Sequence, residues 1–248
     1  MRTIRLTLAY DGAAYGGWQA QPDRVTLQGT LEAAIAEVTG HSVRVMASGR
    51  TDAGVHALGQ VVSFSTNSAL AVEVLQLAIS NHLPRDMVVQ VVADAPDGFN
   101  ALRDTVRKRY RYRLDDGSTP NPLDRRQVWH FGRPLDVNAM HRAGGLLIGR
   151  HDFASFQTSG SPRESTVRTV FDLSVAREND AFPREITIEV EGDGFLYNMV
   201  RAIVGTLVEV GRGNHDPAWV LNVIAANDRR RAGRTAPAHG LCLLEVWY

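Results

Sequence analysis

Apolar and polar residues alternate through "TIRLTLAYDG" (Thr3 to Gly12), which predicts a strand closed by a turn at Asp11-Gly12. The period then changes. In "TLQGTLEAAIAEVTG" the apolar positions Leu27, Leu31, Ile35 and Val38 fall on one helical face, and Gly40 marks the stop. "HSVRVMASG" and "LGQVVSFST" return to the strand pattern, "VEVLQLAISNHLP" predicts a helix ended by Pro84, and "DMVVQVVADA" another strand.

The second half repeats this rhythm. "RKRYRYRLDD" predicts a strand, and "LDVNAMHRAGGLLIG" a helix with Asp136 as N-cap. "STVRTVFDLSVA" and "REITIEVEGDG" read as strands able to pair, "FLYNMVRAIVGTLVEVG" as a long apolar helix, and "GLCLLEVWY" as a last strand. Each half reads as a split βαβ unit. The expected fold is therefore α+β: two ferredoxin-like halves, residues 1–102 and 103–248, with sheets side by side and helices packed on one face. The divide is placed near Asp97 to Arg103, and Asp116 to Pro122 and Thr158 to Pro162 read as loops.

The chain has 248 residues, ample for a large core, and no apolar run long enough for a membrane span. A strand pattern that starts directly after Met1 predicts no signal peptide. One cysteine, Cys242, excludes an intrachain disulfide, so a reducing cytoplasm is the expected location. Basic and acidic residues balance at 27 each, which by itself argues against nucleic acid. Their distribution argues for it. Lys108 is the single lysine, and arginines gather at Arg103 to Arg113, at Arg125-Arg126 and at Arg229 to Arg234. Genome composition could produce that bias, but arginine also suits bidentate phosphate contacts, and clusters can form a basic stripe on a neutral chain.

No histidine or cysteine spacing suits a metal, and no phosphate loop, dinucleotide fingerprint or nucleophile elbow is present. An enzyme built on this chain is expected to work without metal or cofactor. The candidate chemistry lies in "SGRTDAGVHALGQVVSF", where Arg50, Thr51, Asp52 and His56 crowd around Gly49 and Gly54 just before an apolar strand. An aspartate in such a loop is most often a turn-former. Arg50, two residues away, would keep the carboxylate ionised, as a nucleophile requires. In "KRYRYRL", Tyr110 and Tyr112 share one face and Arg109, Arg111 and Arg113 the other: a half-buried strand, or a surface that stacks bases and holds phosphates. In the apolar helix, Asn198, Arg201 and Gly205 form a narrow stripe, and a buried arginine needs a partner; Asp52 would serve.

"LAYDGAAYGGWQ", "GRTDAGVHA", "RYRY", "GDGFLYNMVRAIVGTLVEVG" and "RTAPAHGLCL" stand in an order that resembles the tRNA pseudouridine(38-40) synthase family over the whole chain. The resemblance implies an isomerase that converts uridine to pseudouridine at positions 38, 39 and 40 of the tRNA anticodon stem-loop. It also implies a homodimer that needs no cofactor and no metal, with tRNA as partner. By position in the motifs, Asp52 is the catalytic carboxylate, Tyr110 the aromatic against the uracil, Arg201 the ion-pair partner of Asp52, and Arg50 the residue that flips or holds the nucleotide. Arg50, His56, Arg109 and Arg111 join Tyr110 as expected substrate contacts. The carboxylate could attack C1′, attack the uracil ring or remove a 2′ proton, and the sequence leaves all three open. Two rivals remain: a non-catalytic RNA-binding module, and a carboxylate-dependent nucleoside or RNA hydrolase.

Overall fold

A computed structural model describes residues 1–158, 165–177 and 184–248. In chain order the strands and helices are β1 (Arg2–Tyr10), α1 (Leu27–Thr39), β2 (Met46–Ala47), β3 (His56–Thr66), α2 (Val72–His82), β4 (Met87–Ala95) and β5 (Arg107–Asp115). They continue with β6 (Trp129–His130), α3 (Val137–Gly145), β7 (Gly149–Asp152), β8 (Val167–Arg177), β9 (Glu185–Gly192), α4 (Met199–Gly211), α5 (Trp219–Ala226) and β10 (Leu241–Trp247). The protein is mixed α+β and divides into two compact units, Met1–Val106 with Cys242–Tyr248, and Arg107–Leu241. The first of these units runs to Val106 where the repeat of elements suggested residue 102, and the last strand returns to it.

In the first unit β1 lies between β3 and β4 and runs antiparallel to both, so β3 and β4 are parallel with α2 as their crossover: a split βαβ. β10 adds to β3 in parallel, Cys242 opposite His56. The alternation in β1 buries Ile4, Leu6, Leu8 and Tyr10 on one face. Leu27, Leu31 and Ile35 of α1 and Leu75 and Ile79 of α2 are likewise buried. α1 starts at Thr26, whose hydroxyl accepts from the Gly29 amide, and stops at Gly40, whose φ of 74° suits glycine. "HSVRVMASG" forms a ladder only at Met46–Ala47. Just before it, the Val45 amide donates to Glu32 and its carbonyl accepts from Gln28, so α1 side chains satisfy the backbone that a strand partner would have paired.

In the second unit β5, β9, β8 and β7 pair antiparallel in that order, and β6 adds in parallel to β5. α3 packs against β8 and α4, its N-cap Asp136 accepting from the Ala139 amide. α4 is buried on nearly every side and starts at Met199, not Phe195, because Asn198 turns the chain through a left-handed φ of 61°. His151 and Asp152 lie in β7 against β8. Beyond Thr158, the loop expected to run to Pro162 lies outside the described residues.

Candidate active site

The loop that carries Asp52 is fixed by its neighbours. The Thr51 carbonyl accepts from the Trp18 amide at 2.9 Å, and the Asp52 carbonyl accepts from the Val55 amide at 3.1 Å across Gly54, whose φ is 81°. Gly17, at φ 96°, brings the segment "YGGWQ" so close that a Cβ there would lie 3.0 Å from the Thr51 oxygen. Below the loop, the Thr51 hydroxyl meets the Tyr10 hydroxyl at 2.8 Å. Gln60, fully buried in β3, accepts from the Ser48 hydroxyl and donates to the Gly49 carbonyl. Burial pushes the Tyr10 hydroxyl well above the ordinary tyrosine range, with the Thr51 and Gln60 contacts pulling it partly back, so it stays protonated and can donate. Asp52 itself is half-buried at the rim of this network.

Arg50 is exposed and forms no ion pair with Asp52 among the described residues. His56 is buried, with Nδ1 3.1 Å from the Gly12 amide and 3.0 Å from an Asp11 carboxylate oxygen. That nitrogen can accept from the amide or, protonated, donate to the carboxylate, but not both. Either way it pins the Asp11-Gly12 turn, where a Cβ on Gly12 would lie 2.7 Å from the Val55 carbonyl carbon.

In the second unit Tyr110 is buried and meets Phe195 edge to face, ring centroids 5.2 Å apart. Tyr112 lies on the same face, and its hydroxyl donates to the Pro237 carbonyl at 2.8 Å. The opposite face of β5 is a ladder of ion pairs with β9. Arg107 and Arg109 engage Glu191, Arg111 engages Glu189 and Arg113 engages Glu185. Arg109 and Arg111 therefore have their charges matched within the sheet, and a phosphate would have to compete with a carboxylate for either. Arg201, on α4, donates Nε to the Ala236 carbonyl at 2.8 Å and Nη1 to Asn198 Oδ1 at 2.7 Å. One turn along, Gly205 and Gly233 let backbone meet backbone: a Cβ on Gly233 would lie 2.6 Å from the Gly205 carbonyl carbon. The polar stripe of α4 thus holds the segment "GRTAP" in place.

The sequence profile described as "tRNA pseudouridine synthase" matches residues 7–101 and 143–248. The protein "tRNA pseudouridine synthase A" of Brevibacillus brevis is 46% identical over 248 residues, all of both chains, and that of Moorella thermoacetica is 47% identical over 251, again all of both. The chain belongs to the tRNA pseudouridine synthase family. Membership makes it an RNA-modifying enzyme, an intramolecular isomerase that turns uridine into pseudouridine. Among solved structures, a chain of "Crystal Structure of a Cbf5-Nop10-Gar1 Complex" overlays 83% of this chain and 45% of its own at 12% identity and TM-score 0.36, too distant to argue from.

For a member of the tRNA pseudouridine synthase family the supporting residues matter as much as the motif, and sequence reading missed several. Tyr10, Gln60 and Ser48 form the hydrogen-bonded floor beneath the Asp52 loop. Gln60 had a visible signal, a polar residue inside the apolar run of β3; Tyr10 had none, since it completes the apolar face of β1. Among the described residues no group of three or more His, Cys, Asp or Glu side chains is placed to hold a metal.

Proposed function

We propose that Asp52 is the carboxylate that drives isomerisation of uridine at positions 38, 39 and 40 of the tRNA anticodon stem-loop. The observation that supports this reading best is the Asp52 loop itself: the Trp18 and Val55 amides fix its backbone and Tyr10 holds the Thr51 hydroxyl, while the carboxylate-bearing residue keeps partial access to solvent. A reactive group held on a rigid sheet needs little reorganisation during the reaction.

In the reaction the N1–C1′ glycosidic bond breaks and a C5–C1′ bond forms on the same ribose, with the C5 proton released to solvent. A lone carboxylate suffices for any of the three routes open to it, whereas glycoside hydrolysis uses two carboxylates at a set separation. The target base must leave its stack, which costs a few kcal/mol. In this reading Tyr110 packs on the flipped uracil, exposed Arg50 holds the displaced nucleotide, and Arg201 keeps Asp52 charged. His56 supports from beneath, and Arg109 and Arg111 contact RNA only by leaving their glutamates. No metal or organic cofactor takes part. The enzyme works in the cytoplasm as a homodimer, its basic surfaces joined across the two copies; among the described residues no helix is long and apolar enough to cross a membrane.

The test is tritium release from an anticodon stem-loop labelled at uridine C5. Wild-type protein should release tritium, and Asp52→Ala should not, with tRNA affinity kept within a few-fold because cationic contacts dominate binding. Release by a pure Asp52→Ala preparation would remove Asp52 from the mechanism. A protein that binds RNA without any release would be a binding module.

A further inference from the structure

Gln60 stands fully buried in the apolar run of β3, opposite Leu8 of β1. A buried amide is costly unless its donors and acceptor are satisfied. Here Oε1 accepts from the Ser48 hydroxyl at 2.7 Å, and Nε2 donates to the Gly49 carbonyl at 2.8 Å. A third contact, from Nε2 to the Tyr10 hydroxyl at 3.5 Å, lies at the outer limit of a hydrogen bond. The amide fits only one way round, because a carbonyl accepts and cannot donate, so the nitrogen faces Gly49. Leucine or methionine would fill the same space in the strand. What the amide adds is a grip on two successive residues of the loop.

That grip falls on one side of Asp52. Thr51 and Asp52 are held from elsewhere, by the Trp18 and Val55 amides and the Tyr10 hydroxyl. Gln60 holds Ser48 and Gly49, the two residues before Arg50. Among the described residues it is the one group hydrogen-bonded to the backbone of Gly49 or Arg50. The Gly49 carbonyl shares a planar peptide unit with the Arg50 nitrogen, so fixing its oxygen fixes the plane from which Arg50 departs. Glycine is the residue least able to hold that plane by itself. The Arg50 guanidinium is exposed and has no hydrogen bond or ion pair among the described residues, so no contact of its own aims it. Its starting point is set by the backbone at Gly49.

We propose that Gln60 is a positioning residue for the isomerisation of uridine: by holding the Gly49 carbonyl it fixes the peptide that carries Arg50, and so the point from which that guanidinium meets the displaced nucleotide. The loop then has two supports, Tyr10 beneath Thr51 for the carboxylate and Gln60 beneath Gly49 for the cation. The link to turnover rests on the role of Arg50 proposed above; the hold on the loop does not.

Two substitutions separate the amide from its bulk. Gln60→Met keeps the volume and removes donor and acceptor. Gln60→Asn keeps the amide but withdraws it by one carbon, and it carries the test if the methionine variant does not fold. The first measurement needs no activity. Trypsin cuts after arginine, so the rate of cleavage between Arg50 and Thr51, followed by mass spectrometry below the melting temperature, reports how firmly the loop is held. Both variants should be cut there about fivefold faster than wild type, with cleavage after exposed Arg231 unchanged. The second measurement is tritium release from the stem-loop. Each variant should lower kcat about tenfold with KM within twofold, because lost aim acts after binding. Arg50→Ala should show the same kind of loss, and adding Gln60→Met to it should cause no further loss, since the amide then has no guanidinium to place. Cleavage after Arg50 unmoved in both variants, wild-type turnover in a folded variant, or losses that multiply in the double variant would each overturn the proposal. In the last case Gln60 serves Asp52 or the fold instead of Arg50. Wild-type protein that releases no tritium would fail the proposed function, and the cleavage comparison would still decide whether Gln60 holds the loop.

Discussion

The carbonyl group of Arg234 fills the space that a side chain at Gly205 would need: a Cβ there would lie 2.8 Å from the carbonyl carbon and nearer still to the oxygen. The obstacle is backbone, which cannot rotate away as a side chain can. Gly205→Ala must therefore push α4 and the segment around Arg234 apart, although alanine is the better helix former. Overpacking of this kind costs about 1–3 kcal/mol, which should lower the melting temperature by roughly 3–10 °C in a chain of this size. Gly145→Ala is the control, because a Cβ there meets nothing within 4 Å. Equal melting temperatures for the two variants would show that α4 is not so closely packed.

The floor of the Asp52 loop offers a different test. Tyr10→Phe removes the hydroxyl that meets Thr51 at 2.8 Å and leaves the ring against Trp18. The loss should cost about 1 kcal/mol of stability, the usual net value of one hydrogen bond. If the Tyr10 contact sets the aim of Asp52, kcat should fall about tenfold while KM for the stem-loop stays within twofold, since RNA is held elsewhere. A rise in KM with kcat unchanged would assign Tyr10 to binding instead.

Asp116 and Arg177 form a two-pronged ion pair at 2.9 and 2.8 Å, and the Leu135 amide adds a third hydrogen bond to the carboxylate. Burial alone would raise the Asp116 carboxyl, but Arg177 and Leu135 outweigh it and hold the group below the usual aspartate range. The folded value lies below the unfolded one, so this stabilisation is complete above the ordinary aspartate value and is lost as pH falls through the folded value. Arg177→Met should cost about 2 kcal/mol at pH 7, less than a fully buried pair because Arg177 keeps a third of its side chain in water. The difference in melting temperature between Arg177→Met and wild type should shrink on acidification, as Asp116 protonates in both. A difference constant from pH 7 to pH 3 would show that the carboxylate charge is not what Arg177 serves.

Most strands and helices were legible because each has one period over several turns or residues: β1, β5 and α1 follow their patterns to the capping residue. What stayed hidden depends on partners far along the chain. Residues 42–45 look like strand, but the Val45 amide and carbonyl are satisfied by Glu32 and Gln28, which no local pattern shows. Trp129–His130 is too short to have a period and exists because β5 offers an edge. The site divides the same way. Asp52 stands out between glycines, whereas the charge on Arg109 and Arg111 reads as phosphate-binding until Glu191 and Glu189 are seen opposite, 82 and 78 residues away.

Arg201 gives the last prediction. Its Nε and Nη1 are committed to Ala236 and Asn198, which orients the guanidinium and ties it to "GRTAP". In the proposed mechanism the same guanidinium keeps Asp52 ionised. Arg201→Met should then fail in two ways, losing most turnover and lowering the melting temperature, because a carboxylate is left without its counter-charge as well as a carbonyl without its donor. Adding Asp52→Asn removes the first fault and not the second, so the double variant should recover part of the stability and none of the activity. Arg201→Lys separates the faults differently: it restores a positive charge but cannot reproduce the two fixed donors, so it should regain stability ahead of turnover. If the double variant melts no higher than Arg201→Met, Arg201 acts through Ala236 and Asn198 alone, and the ionisation of Asp52 must come from another cation.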